Sequence, residues 1–219
     1  MKLIAFDLEG TLADIRAYSG GKHESPSIWP IIADEIKATE EENRVNKMWK
    51  EGKFETYIDY MEATIVVHKD YGLTEEIFKG IIDKIPWING IEETFDELRR
   101  SDYKIMIVSG GFRNHAERIP SKPDYIFAGC DYIFKEGKLD SWELIESDWQ
   151  GKIECMDRII GKLSIIREDC CFVGDGKNDV KIAQYCGNSI AINACEELKK
   201  AAKYSIDTKD LRDILGFIE

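Results

Sequence analysis

No stretch of the chain approaches the roughly 20 consecutive apolar residues that span a bilayer, so no transmembrane helix and no membrane partner are expected. The N-terminus runs straight into a short apolar strand, without the regions of a secretory signal, and a cytoplasmic location is expected. Positive charge is also in deficit. The 30 Lys and Arg face 42 Asp and Glu, a net charge of -12, which argues against a nucleic-acid or anionic-membrane surface. Small anionic substrates stay open, because a bound divalent cation reverses the field locally. Six cysteines occur, at 130, 155, 170, 171, 186 and 195, and none forms a CxxC pair. They read as reduced, mostly buried residues, and a zinc site is not expected. Internal repeats and low-complexity tracts are missing too.

What is present suits one large domain, or a domain with a second one inserted: 219 residues, 43% of them hydrophobic. Lys2–Phe6, Tyr103–Val108, Cys170–Val173 and Ser189–Ile192 are apolar runs of the kind that fill strands buried on both faces. Asp124–Phe127 and Tyr132–Phe134 read as two further short strands, and Glu136-Gly137-Lys138 as a hairpin turn. Ile91, Phe95 and Leu98 share a helix face, Lys152 to Ile160 is a helix, and Asp179 to Cys186 is another. Between Ile28 and about Lys84 the alternation of strand and helix lapses, and the segment reads as helical throughout, with a helix start at Glu40-Glu41-Glu42 and another short helix opening at Thr74-Glu75-Glu76. Asp14 to Ser27 is a polar connection with Gly20-Gly21 in its middle.

Polar or Gly-rich turns follow three of the buried strands. In a parallel sheet such strand ends lie side by side, which puts Asp7, Ser109 and Asp175 on one rim. Asp7 and Glu9 can divide the chemistry there, one attacking or holding a metal and the other moving a proton. Gly10 lets the backbone turn under a ligand, and Thr11 adds a hydroxyl. The hydroxyl of Ser109 and the N–H groups of Gly110-Gly111 suit phosphate oxygens. Asp175 and Asp179, four apart at a helix entry, suit Mg²⁺.

Asp7-Leu8-Glu9-Gly10-Thr11, Ser109-Gly110-Gly111, Lys152 and Gly174-Asp175-Gly176-Lys177-Asn178-Asp179 resemble, in order, the four motifs of the haloacid dehalogenase superfamily, the aspartate-nucleophile phosphatases. Val108–Phe112, Ala191–Ala194 and Lys209–Leu215 narrow the resemblance to its phosphoserine phosphatase-like branch. The resemblance covers residues 1–13 and 86–219 and is thin across 14–85. It implies an α/β fold with a Rossmann-like parallel-sheet core, residues 1–14 and 86–219, and a helical cap inserted after the first motif, residues 15–85.

The activity so implied is Mg²⁺-dependent hydrolysis of a small phosphorylated metabolite through an aspartyl phosphate. Asp7 would be the nucleophile, and Glu9, in place of the usual aspartate, the acid/base. Ser109, Gly110, Lys152 and Asn178 would hold phosphate. Asp7, Asp175, the Glu9 backbone carbonyl and Asp179, directly or through water, would hold the metal. A phosphotransferase of the same branch and a phosphoserine phosphatase proper are the alternatives. The acids Asp175 and Asp179 argue against a dehalogenase, and the intact Asp7, Lys152 and Asp175 set argues against a non-catalytic binder. Glu24 is the candidate for holding a substrate ammonium. The position expected to carry an arginine for a substrate carboxylate holds Asp59, and the only arginines across 14–85 are Arg16, in the connection, and Arg44. Phosphoserine is therefore expected to be a poor substrate. Oligomeric state is not legible.

Overall fold

The alternation of side chains along the first strand sets the layers of the molecule. A computed structural model describes residues 1–22 and 26–218. Strand β1 (Lys2–Phe6) is followed by five helices, α1 (Ile15–Ser19), α2 (Ile28–Glu35), α3 (Thr39–Lys50), α4 (Tyr57–Asp70) and α5 (Glu75–Ile82). Then come α6 (Ile91–Arg100), β2 (Tyr103–Phe112), α7 (Arg113–Ala116), β3 (Tyr125–Lys135), β4 (Lys138–Leu144) and α8 (Gln150–Leu163). The chain closes with β5 (Cys170–Gly174), α9 (Val180–Tyr185), β6 (Asn188–Ile192), α10 (Glu196–Ala201) and β7 (Tyr204–Ile206). Leu3 and Ala5 face a layer holding Cys155, Met156 and Ile159 of α8 and Ile182 of α9. Ile4 and Phe6 face the opposite layer, with Ile91, Phe95 and Leu98 of α6. A strand covered on both faces has no polar side to show, which is why β1 and β5 read as unbroken apolar runs.

The sheet runs β4-β3-β2-β1-β5-β6-β7, parallel throughout except for the antiparallel β3–β4 pair. Phe6 pairs with Ile107 of β2 on one side and Val173 of β5 on the other. The chain leaves β1 to one side and later returns to the other, so the carboxyl ends of β1, β2 and β5 meet at a topological switch point. Open α/β sheets bind ligands there. Among the described residues no helix is long and apolar enough to cross a membrane.

Helices α1–α5 occupy the excursion between β1 and α6. Ala13 bridges Trp87, and the Asp14 N–H donates to the Pro86 carbonyl at 2.8 Å, so the outgoing and returning connections lie side by side. The helical segment has a core of its own. Ile28, Ile32, Met61, Ile65, Phe78 and Ile82 pack there against Phe112, Cys130, Tyr132 and Leu139 of the extended β2–β4 region.

Several elements differ from the sequence reading. The helical stretch is interrupted near Lys37, Gly52 and Gly72, all with positive φ. Thr56 and Asp59 form a capping box that starts α4 afresh. The two short strands expected at 124–134 are one continuous β3, and β2 runs through Ser109-Gly110-Gly111 to Phe112, with a register shift against β3 in that stretch. The polar connection contains α1. Glu136 and Gly137 both have positive φ, as a tight two-residue hairpin between β3 and β4 requires.

Candidate active site

Asp7 directly follows β1 and is held by its own N–H, which donates to the Val173 carbonyl at 2.9 Å. Lys152, on the first turn of α8, points into the same rim and is fully buried. Its ammonium donates to Asp7 Oδ1 at 2.8 Å and to Asp179 Oδ1 at 2.6 Å, with Asp148 Oδ1 at 3.9 Å. Burial alone would drive that ammonium to lose its proton. The carboxylates of Asp179, Asp7 and Asp148 outweigh burial and hold it charged, well above the ordinary lysine range. Removing one member would strand the others in a low-dielectric site, at a cost of about 3–5 kcal/mol for a buried pair.

Asp179 caps its own turn: Oδ2 accepts the N–H groups of Asp175 at 3.1 Å and Gly176 at 3.0 Å. Asp175 accepts from the Thr11 hydroxyl at 3.0 Å and from Arg16 Nη1 at 3.4 Å. Carboxylate oxygens of Asp7, Asp175 and Asp179 all lie within 4.8 Å of one another, and all three residues are buried. Burial, then repulsion from Asp7 and Asp179, raises Asp175 well above the carboxylate range against the opposing pull of Arg16 and Thr11. Burial pushes Asp7 up to about 7, with Lys152 opposing. A buried group of hard oxygen donors, with Asp7 and Asp175 both pushed towards the neutral acid, fits a small divalent cation such as Mg²⁺, which would relieve that penalty.

Glu9 turns back under the start of α2. Its Oε2 accepts the Ile28 N–H at 3.1 Å, while Oε1 is buried with no hydrogen-bond partner among the described residues. Burial raises its pKa to about 8, the Ile28 N–H working against the rise. Two glycines make room for these carboxylates. A Cβ on Gly111 would collide with Glu9 Oε1, and one on Gly10, which also has φ +89°, would collide with Asp175. Ser109 is buried, its hydroxyl accepting the Gly111 N–H at 3.1 Å and its carbonyl accepting the Ser147 hydroxyl at 2.6 Å. Gly110 passes so close to Asp148 that a side chain there would collide with that carboxylate.

The structure thus brings together Asp7, Glu9, Ser109, Gly110, Lys152, Asp175, Asn178 and Asp179. Glu24 lies outside the described residues. Asp59 spends its carboxylate on the start of α4, accepting from Thr56 N at 2.9 Å and Thr56 Oγ1 at 2.8 Å at the surface. Among the described residues, Asp59 makes no hydrogen bond to a residue of the rim. Arg44, 69% exposed, pairs with Glu41. Arg16 reaches the rim from α1, a correction to its reading as a connection residue.

Asp148 and Tyr57 escaped the sequence reading. Asp148 accepts from Asn178 Nδ2 at 2.6 Å, from Tyr57 OH at 3.1 Å and from the Trp149 N–H at 2.9 Å. Trp149, at φ 46° and ψ -113°, adopts a backbone disfavoured for a side-chain-bearing residue, and it turns the chain from Asp148 into α8. An acid four residues before Lys152 is a signal that could have found Asp148. Tyr57 had none, because an aromatic at a helix start is ordinary. Its hydrogen bond ties the helical segment to the rim, and burial, then Asp148, raises its hydroxyl well above the ordinary range.

A model of the haloacid dehalogenase-like hydrolase family matches residues 1–187. The phosphoserine phosphatase of Methanocaldococcus jannaschii is 32% identical over 100% of this chain and 98% of its own length. That of Wolinella succinogenes is 28% identical, with 100% of each chain covered. A solved phospho-aspartyl intermediate analogue of phosphoserine phosphatase matches with a TM-score of 0.77 at 32% identity, covering 100% of this chain and 99% of that one. A substrate-bound phosphoserine phosphatase complex matches with the same TM-score and identity, covering 98% of that chain.

Proposed function

The chain belongs to the haloacid dehalogenase-like hydrolases, and we infer from its site that it hydrolyses a small phosphomonoester in two steps, through an aspartyl phosphate on Asp7. The observation that supports this most is the pairing of Asp7, fixed by Lys152 at 2.8 Å, with the buried carboxyl of Glu9 two residues on.

In the first step an oxygen of Asp7 attacks phosphorus and the ester oxygen leaves. Lys152 holds the other Asp7 oxygen and keeps the nucleophile aimed. Glu9, kept protonated near neutral pH by burial, gives its proton to the leaving oxygen. In the second step the Glu9 carboxylate takes a proton from water, the water oxygen bonds to phosphorus, and Asp7 is released. Ser109, the Gly110 N–H, Lys152 and Asn178 hold the phosphoryl oxygens, with Asp148 orienting Asn178. Mg²⁺, which Asp7, Asp175 and the Glu9 backbone carbonyl would hold with Asp179 beside them, supplies neutralisation of the phosphoryl charge. Residues 15–85 serve as the cap that excludes bulk water and reads the leaving group, over a core of residues 1–14 and 86–219.

The test is a panel of phosphorylated metabolites assayed with Mg²⁺, in excess chelator, and with an Asp7→Asn variant checked for fold by circular dichroism. Hydrolysis should require Mg²⁺ and vanish in the variant. Undiminished hydrolysis by folded Asp7→Asn would contradict the reading.

A further inference from the structure

Arg16 has no part in the two-step chemistry, yet it stands at the site. Among the described residues, Lys152 and Arg16 are the cations in contact with the rim's carboxylates. They differ in kind. Lys152 is sealed and divided between Asp7 and Asp179. Arg16 is 43% exposed and makes one long contact, 3.4 Å from Nη1 to Asp175 Oδ2. Its guanidinium has no other partner among the described residues.

That contact leaves most of a five-donor fork unused. A divalent cation on Asp175 would take over its neutralisation and repel the neighbouring guanidinium. Arg16 is then left beside the phosphoryl site with donors to spare and a second positive charge to offset. Because oxygens of Asp7 and Asp175 lie within 4.8 Å of one another, Arg16 stands one carboxylate away from Asp7. Among the described residues on the cap side of the rim, Tyr57 is held by Asp148 and the Ile28 N–H by Glu9, and neither is a cation. A planar anion is what a guanidinium fork binds best.

We propose that Arg16 is a specificity-determining residue that reads an anionic group, a carboxylate or second phosphate, carried by the leaving group. This rests on the phosphatase reading above. It also removes the reason for expecting phosphoserine to be poor, since its carboxylate has a candidate partner.

The test uses substrate pairs that differ in the anion: 3-phosphoglycerate against glycerol 3-phosphate, and L-phosphoserine against phosphoethanolamine, each with Mg²⁺. The wild type should favour the anionic member in kcat/KM by roughly 10–100-fold, the worth of one charged hydrogen-bonded pair, chiefly through KM. In Arg16→Gln that ratio should fall towards one, and Arg16→Lys should restore part of it. Equal ratios in the wild type, or an equal loss for both members of each pair in Arg16→Gln, would overturn the proposal. If no phosphomonoester is hydrolysed at all, the phosphatase reading fails. Binding then decides on Arg16: 3-phosphonopropionate should bind the wild type more tightly than propylphosphonate, and equal affinities would overturn it.

Discussion

Glu9 carries a buried oxygen without a partner among the described residues, a costly state for an ionised carboxylate and a tolerable one for a protonated acid. A carboxyl with a pKa of about 8 is mostly protonated at neutral pH and is poised to donate. Glu9→Gln should therefore slow turnover of alkyl phosphates by roughly 10²–10⁴-fold. The loss in kcat/KM, which reports the first step, should be much smaller for an aryl phosphate, whose leaving group needs little protonation. Equal losses in kcat/KM for both would mean that Glu9 only shapes the site. Asp7 and Glu9 were legible because their chemistry is local in sequence, two acids at the end of a buried run. Lys152 was legible only by its order between other motifs. Arg16 and Asp148 were not, because each acquires its role through space, against Asp175 and Asn178 respectively.

At the scale of the element, short α7 holds a second tension. His115 is fully buried, neither ring nitrogen has a hydrogen-bond partner among the described residues, and its ring stacks on Trp87 with centroids 4.8 Å apart. Trp87 belongs to the connection that pairs with Ala13 where the chain leaves and re-enters the core. Burial, reinforced by Arg118 and opposed by Asp83, lowers His115 from 6.5 to about 4. A depressed histidine favours the fold in its neutral form. That contribution is present above pH 6.5 and is lost as the pH falls towards 4, by as much as about 3 kcal/mol. His115→Phe should flatten the loss of stability between pH 6.5 and 4, measured by urea midpoints followed through tryptophan fluorescence. The same pH slope in wild type and variant would contradict this. Sequence reading located the buried strands of the core and the starts of α3 and α5, but missed the break between α3 and α4. The turn at Gly52 and the Thr56 cap are set by single residues that an apolar stripe does not register. The full length of β3 was missed for a related reason, since its exposed and buried positions do not alternate regularly.

Over the whole molecule, a net charge of -12 and a rim that gathers Asp7, Asp175 and Asp179 set the same requirement, for cations to offset them. Lys152 answers part of it, Mg²⁺ would answer more, and Arg16 stands at the cap side. The parallel core was legible because strands covered on both faces leave long apolar runs. The cap was legible mainly as a lapse in that pattern, so its contacts with the rim, Tyr57 to Asp148 above all, were not. The proposed reaction runs through an acyl phosphate on Asp7. The most direct test is to trap it. Glu9→Gln with an aryl phosphate should form the intermediate quickly and hydrolyse it slowly. Acid quench during turnover, followed by peptide mapping by mass spectrometry, should then find a hydroxylamine-labile phosphoryl group on Asp7, absent when Asp7→Asn is added. Release of phosphate with no phosphoryl group on the protein at any time, or with one on a residue other than Asp7, would contradict the account.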